Sequence, residues 1–571
     1  FHYYLCRSDS GGMEFYMKIV VRKLLSVMLM LCLLTLLLPF PATAADEDVC
    51  QIPETGVGYT TLDGALTAVQ SGQTIRLLKD INYNSGIAIV DKSITFNLNG
   101  FILNVVNTAG GDTYVENCGL YVEGNAAISL DGLGEFNVTG TWYGVFAECN
   151  NGESAQVTVT NATGNNGRDA VAAQRSKVTV KGNATSNGEG CRGVRASYEN
   201  GEVIVEGNVY ANGGNSCGVY AEDLGKVTIK GSVTVTGYNS RGIYAYHDGK
   251  AAVGNDIVIN VEKDITASGT GSIGVQTIDS NITVGGNVAG EYGGIDASGS
   301  DVDVTGDVQS TGSGVNTYGV TATNLSEIII GGDVRSNEIG AYIWSEDGET
   351  PSMITINGVI GALKYVKIGS KTLAFTNGSH EPSLIQGYII YEDTGFPEAG
   401  AIHVAEFAGG DGNQLNPYLI AHADHLYNVR NHLDKHFRQI ADVDLSDYKT
   451  GEGWNPIGTT SNSFIGTYDG DGFTVRNLFI NKVGAWNVRV PSGLFGYTVA
   501  GAEIRNLKLE SVDITGCYYV GSIVGSNSGK ITGVISSGTV TGEFDTGGLV
   551  GVSGKTGSIT DSSFTGTVTG T

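Results

Sequence analysis

Cutting a polysaccharide on a stacked β scaffold takes clustered carboxylates, or a Ca2+ with a basic residue, on one outer face. Asp301 and Asp303 stand two apart in a D-V-D-V run, so strand alternation turns both to the same side. If neighbouring runs stack, Asn281 and Glu327 fall beside Asp301, with Asp279, Asp296 and Asp307 near by at turns. No His, Arg or Lys shares that register, so the sequence favours a solvated acidic face over a catalytic or Ca2+ site. A second group is His422, His425, His432 and His436, half of the eight histidines. On one helix, His425, His432 and His436 would flank the side of Leu426 and Leu433 and could hold a transition metal. No H-E-x-x-H and no nearby Cys accompany them, which favours the solvent edge of a capping helix over a metal site. Asp469-Gly-Asp-Gly opens like a calcium loop but lacks the third ligand, the further Gly and the closing Glu of an EF-hand, and reads as a tight turn. His247-Asp248 has no Ser or Cys nucleophile beside it, and no phosphate-binding loop, nucleophile elbow or dinucleotide fingerprint occurs. The expectation is therefore no catalytic residue and no cofactor, with Ca2+ the one ion worth weighing.

The elements that must carry these residues are repeats. A first phrase recurs as Gly119-Leu-Tyr-Val, Gly144-Val-Phe-Ala, Ala170-Val-Ala-Ala, Gly193-Val-Arg-Ala, Gly218-Val-Tyr-Ala, Gly242-Ile-Tyr-Ala, Gly274-Val-Gln-Thr, Gly294-Ile-Asp-Ala, Gly319-Val-Thr-Ala and Gly340-Ala-Tyr-Ile, with successive openings 20 to 32 residues apart. A second phrase of the form V-T-V follows (Val157, Val178, Val203, Val227, Ile282, Val302, Ile328), and then a third, Gly-Asn/Asp-Val (Gly207, Gly286, Gly306, Gly332). So short a repeat cannot bury its own apolar face and must stack on its neighbours. Three strands per turn predict a three-sided coil with both Val of V-T-V inward, Thr outward and Gly at φ > 0 corners. The fixed order of phrases favours this over an antiparallel sandwich. Tyr59 to Val69, with Leu62, Ala65, Leu66 and Val69 on one side, predicts a helix covering the open end of the core. Leu426, Val429 and Leu433 predict another ahead of a second solenoid. The fold class expected is all-β: two right-handed parallel β-helix solenoids in tandem, each preceded by a short capping helix.

The chain has 571 residues, with 85 Gly, 9 Pro, 41% hydrophobic and 16% charged residues. That composition is neither collagenous nor disordered. A formal charge of −26 argues against nucleic acid or an anionic membrane surface as partner. Residues 1–44 read as a leader with a secretory signal: basic residues to Lys23, an apolar run from Leu24 to Leu38, then Ala42-Thr43-Ala44. The expected product is exported and not inserted in a membrane after cleavage. Residues 45–360 form the first β-helix, 361–408 an end cap and linker, and 409–571 the second β-helix. The chain stops at Thr571 within the repeat rhythm, which reads as a truncation. Six cysteines remain after the leader, and Cys191 and Cys217 precede equivalent glycines, so a disulfide or two thiols are both open. The Asn-x-Ser/Thr sites at Asn137, Asn161, Asn183, Asn281, Asn324 and Asn377 are no more than a chain rich in Asn and Thr contains by chance.

Gly493-Leu-Phe-Gly, Gly521-Ser-Ile-Val-Gly and Gly547-Gly-Leu-Val-Gly, each followed by an x-Ile step and a closing T-G, resemble the GLUG motif of bacterial surface proteins. The lead-in is similar too, in Asn416-Pro-Tyr-Leu-Ile, Gly453-Trp-Asn-Pro-Ile-Gly and Phe464-Ile-Gly-Thr-Tyr-Asp. The first solenoid resembles the pectin-lyase-like β-helix superfamily in architecture alone. These resemblances imply a secreted, cell-surface protein of adhesin type whose partner is a host or cell-surface protein or glycan. The alternatives are a polysaccharide lyase or hydrolase using the first β-helix, and an accessory region of a larger surface peptidase.

Overall fold

The computed structural model describes residues 48–149, 154–247, 257–344, 351–362, 364–369, 371–373, 388–392, 400–482 and 490–570. The expected leader, Asp248 and Asn377 lie outside them. The chain is all-β and built as stacked three-strand coils. Its contacts divide it into two compact units, Phe1–Asn212 with Glu222–Ile229, and Gly213–Ala221 with Lys230–Thr571.

In the N-terminal unit an antiparallel hairpin, Cys50–Ile52 with Val57–Tyr59, borders Gln73–Leu77. Helix α1 (Leu62–Ala68) follows the hairpin. It is shorter than expected because Thr61 ends it at the front, its hydroxyl accepting the Gly64 N–H at 3.2 Å, and Val69 is already extended. Leu62, Ala65 and Val69 are buried, as their spacing requires. Each coil then supplies one strand to each of three parallel faces. Ile94–Asn97, Ile102–Val106 and Cys118–Glu123 make one coil, and Gln156–Val159, Asn161–Gly164 and Asp169–Gln174 another. Register is strict on the V-T-V face: Val157 pairs Val178 and Val178 pairs Val203. Val157 and Val159 are buried and Thr158 is half-buried, which is the alternation the phrase encodes.

In the C-terminal unit the V-T-V face runs through Ile257–Val261, Ser280–Val284, Asp301–Val304, Glu327–Ile330 and Ser352–Ile356. It continues to Gly400–Ala405, which pairs in parallel with Ser352–Ile356, and ends on Tyr388–Glu392, paired antiparallel. The coils are held at their corners by two side-chain ladders. On one, the side-chain oxygens of Asp264, Asn287, Asp307 and Asp333 accept the N–H groups of Asn287, Asp307, Asp333 and Val359 at 2.7, 2.8, 2.8 and 3.0 Å. This explains the Asn or Asp of the third phrase: each satisfies a corner N–H that strand pairing cannot reach. On the other, the N–H groups of Ser280, Ser300 and Ser326 donate to the buried hydroxyls of Ser300, Ser326 and Ser352 at 3.1, 3.2 and 3.1 Å.

The phrase-opening glycines do not supply the φ > 0 corners. That backbone is carried by Asp279, Gly299, Asn324 and Leu325. Gly294 is required for close packing: a Cβ there would lie 2.5 Å from both the Gly319 carbonyl oxygen and a Val308 methyl. The six cysteines of the described residues are all buried and none is bridged, Cys191 and Cys217 included.

The second β-helix lies in the same unit. Phe495–Thr498, Val524–Asn527 and Val550–Ser553, one from each G-x-x-G repeat, stack as one face. Ile504, Ile531 and Ile559 stack on the next, and Gly516, Gly542 and Gly570 on the third. Its core is aromatic, with Trp454, Tyr468, Phe437, Phe464 and Phe495 fully buried. The Trp454 indole N–H donates to the Leu494 carbonyl at 3.1 Å, so the tryptophan of the lead-in is a core residue. Helix α2 (Ala423–Asn428) ends sooner than expected, giving way to a 3-10 turn at Val429–Asn431 and a strand at His436–Gln439.

Candidate ligand-binding faces

Stacking places Asp301 beside Asn281 and Glu327, and Asp303 beside Thr283 and Ile329. Both carboxylates are exposed. They floor a shallow groove of about 260 Å³ with Asn281, Thr283, Glu327 and Ile329 and no basic side chain. The groove offers hydrogen-bond acceptors to a passing ligand. Asp279 sits at a φ > 0 corner and Asp307 in the corner ladder. Asp296 is a correction to the expectation of a turn: it lies in the middle of strand Gly293–Ser298 on a different face.

The four histidines are not gathered on one helix, because α2 is too short to reach beyond Asn428. His422 is its N-cap, with Nδ1 accepting the Asp424 N–H at 3.2 Å, and His425 Nδ1 accepts the Ala421 N–H at 3.3 Å. Their rings lie 3.7 Å apart between centroids. With each Nδ1 lone pair so used, the ring proton sits on Nε2, and the buried Nε2 atoms present N–H groups where a metal would need lone pairs. Burial pushes the His422 imidazolium down to about 4, and burial plus the charge of His422 holds His425 well below the ordinary imidazole range. His432 turns away to Glu406, Nε2 to Oε2 at 2.8 Å, and His436 opens a strand. Among the described residues no group of three or more His, Cys, Asp or Glu side chains is placed to hold a metal ion. The Asp469-Gly-Asp-Gly turn is closed by its own chain: Asp469 accepts from Arg505 at 2.8 Å, Asn506 at 3.0 Å and the Asp471 N–H at 3.0 Å.

The richest chemistry is on the G-V-x-A face, at the x position. In the C-terminal unit, Tyr244, Gln276, Asp296, Thr321, Tyr342 and Lys367 stand in register, one per coil. All six are half-buried. Neighbouring aromatics widen the row, Tyr220 packing on Tyr244 at 5.7 Å and Tyr292 edge-on to Tyr318 at 5.4 Å. Arg241 lies 5.4 Å from the Tyr244 ring and its Nε bonds Gln276 Oε1. Gln276 donates in turn to Asp296 at 3.1 Å, and Lys367 sits 4.2 Å over Tyr342. Burial raises the Asp296 carboxyl while Gln276 and Arg241 pull it down. Ring faces alternating with amides, a carboxylate and cations at strand spacing suit a long ligand carrying both apolar and hydroxyl surface.

In the N-terminal unit the x position reads Tyr121, Phe146, Ala172 and Arg195. Here the aromatics are sealed by Tyr114 and Trp142. Tyr121 Oη lies 2.6 Å from Glu148 and 2.9 Å from Glu123. Asp169, fully buried, sits 2.8 Å from Arg195 Nε and 3.3 Å from Arg192 Nη1. This stretch is a closed, charge-paired layer. Elsewhere the amides of Asn82, Asn104, Asn137 and Asn161 hydrogen-bond one another in series at 3.0, 3.1 and 2.8 Å, which engages two of the Asn-x-Ser/Thr sites.

The x row carries no contiguous sequence signal, its members lying 20 to 32 residues apart and differing in type, whereas Asp301 and Asp303 stand two apart on the V-T-V phrase. The signal lay in the third letter of the very phrase that defines the repeat.

Residues 542–569 match the model of the GLUG motif. A protein of Evansella cellulosilytica designated a Gly-rich membrane protein is 38% identical over 154 residues, 26% of this chain and 17% of that protein. Halomucin of Haloquadratum walsbyi is 33% identical over 139 residues, 22% of this chain and 2% of halomucin. The chain thus spans less than a fifth of either relative. No solved structure matches it. No helix of the described residues is long and apolar enough to cross a membrane.

Proposed function

We propose that this is an exported, non-enzymatic cell-surface protein of adhesin type, binding a surface glycan along the outer faces of its coils. The observation that carries the reading is the in-register row from Tyr244 to Lys367, because repeated half-buried side chains let contacts add coil by coil. The GLUG match and the membrane and mucin names of the relatives support a surface location.

The test is binding of the purified chain to immobilised polysaccharides and to host matrix proteins, with Tyr244→Ala plus Tyr342→Ala as the variant. Glycan binding that weakens at least about tenfold with melting unchanged supports the reading. Unchanged binding, or binding to matrix proteins alone, overturns it. The Asp301–Asp303 groove favours a second reading, cleavage of a uronic-acid polymer. Product formation lost in Asp301→Ala plus Asp303→Ala would establish that reading in place of the first.

A further inference from the structure

The second β-helix holds two half-buried cations, Arg430 and Lys482, that make no ion pair among the described residues. The sequence carries 59 Asp and Glu against 33 Lys and Arg, yet Arg430 and Lys482 have no carboxylate within ion-pair distance among the described residues. The Arg430 guanidinium lies 3.7 Å from the Tyr427 ring centroid and 5.2 Å from that of Trp454. Its Nε donates to the Tyr427 carbonyl at 2.7 Å and its Nη2 to the Asn455 carbonyl at 2.9 Å. Lys482 reaches the same residue from its side-chain end, Nζ donating to Asn455 Oδ1 at 3.2 Å. Two like charges are thereby gathered around one asparagine. Burial, together with the charge of Arg430, lowers the Lys482 ammonium, with Glu452 pulling the other way. Burial lowers Arg430 as well. Each charge is thus poorly solvated and would gain from an anion.

Beside them opens a cavity of about 140 Å³ whose polar lining is Asn455, Thr459, Thr460 and Lys482 and whose apolar lining includes Pro456, Val490, Pro491 and Tyr497. Its chemistry is mixed in a particular way: an ammonium, an amide and two threonines offer hydrogen bonds, while Pro456 and the Tyr497 ring offer apolar surface. A sugar ring presents hydroxyls at its rim and C–H groups on its faces, and a uronic acid adds one carboxylate. We propose that this cavity is a binding site for a single hexuronate unit, with Lys482 holding the carboxylate and Arg430 positioning Asn455 from behind. The site is separate from the Tyr244–Lys367 row, and its existence does not depend on that reading.

The probes are glucuronic acid, glucose, inorganic sulfate and an acidic peptide, titrated calorimetrically into the whole chain at low and at physiological salt. Glucuronate is expected to bind about tenfold or more tightly than the other three, with affinity falling as salt rises. Lys482→Gln should remove most of that preference, and Lys482→Arg should keep part of it. Arg430→Gln should weaken glucuronate more than glucose, because Asn455 serves both while the Lys482 it holds serves the carboxylate. Tyr244→Ala plus Tyr342→Ala should leave glucuronate binding as it was, which separates failure of this site from failure of the coil-face reading. Equal affinity for glucose and glucuronate, equal affinity for sulfate or the acidic peptide, or an unchanged preference in a folded Lys482→Gln protein would each overturn the proposal. Should Lys482→Gln fail to melt cooperatively, the Arg430→Gln comparison of glucuronate with glucose decides instead.

Discussion

Asp307 accepts the main-chain N–H of Asp333 at 2.8 Å, one coil further along the chain. The bond is charge-assisted and serves a corner N–H that no strand partner can reach. Asp307→Ala is therefore expected to cost about 1.5–3 kcal/mol, and Asp307→Asn less because the amide oxygen still accepts. Amide hydrogen exchange at Asp333 is the direct reading: protection should fall in the alanine variant and largely survive in the asparagine variant.

Gly294→Ala should destabilise by about 1–3 kcal/mol. The added methyl meets the Gly319 carbonyl oxygen and a Val308 methyl, both 2.5 Å from where it would sit, and neither is the free end of a flexible side chain. Denaturant unfolding measures the loss. A neutral result would mean that the coils can separate there at no cost.

Asp169 is fully buried between Arg192 and Arg195. Asp169→Ala removes the fully buried carboxylate that faces both guanidinium groups, Arg195 keeping Glu222 at 3.9 Å, and should cost about 3 kcal/mol. Thermal melting of the N-terminal coils, followed by the fluorescence of Trp142, reads the effect.

Acid should weaken the start of the second β-helix. His422, pushed down to about 4, and His425, held well below the ordinary imidazole range, stay neutral in the fold while the unfolded chain takes up protons near 6.5. Their contribution is complete above about pH 6.5 and is lost as pH falls toward 4. Asp424, raised to about 6 by burial, works the other way, its contribution being lost as pH rises through about 6. Two histidines against one carboxyl leave a net loss on acidification, with a slope of up to about 1.4 kcal/mol per pH unit. In His422→Asn the N-cap acceptor is kept and one titration removed, so stability between pH 6.5 and 4 should become nearly flat. A slope unchanged in that variant would place the acid sensitivity elsewhere.

Much of the fold was legible because strands alternate and because equivalent phrases of successive coils must stack in register. Val157 and Val178 pair in the structure since both open the same phrase, and the G-x-x-G repeats around Phe495, Val524 and Val550 stack for the same reason. What could not be read are the features set by neighbours distant in sequence. Helix α2 ends at Asn428, and His436–Gln439 must pair with Tyr418–Ile420 and Thr467–Asp469, a demand that its His and Leu spacing does not reveal. Gly294 was taken for a corner residue, although what fixes it is the backbone of the following coil. The Tyr244–Lys367 row escaped notice because its members differ in type and only stacking makes them neighbours.

The corner ladder has a further consequence for how such a chain changes over generations. Each corner residue receives support from the coil before it and gives the same support to the coil after it, so the pattern prescribes no particular number of coils. Gain or loss of a whole coil restores every bond, and ladder steps of 20, 23 and 26 residues already carry the same bond. Length variants of this protein should therefore differ in steps of whole repeats, with the excess residues of any odd-sized insertion looped out between strands.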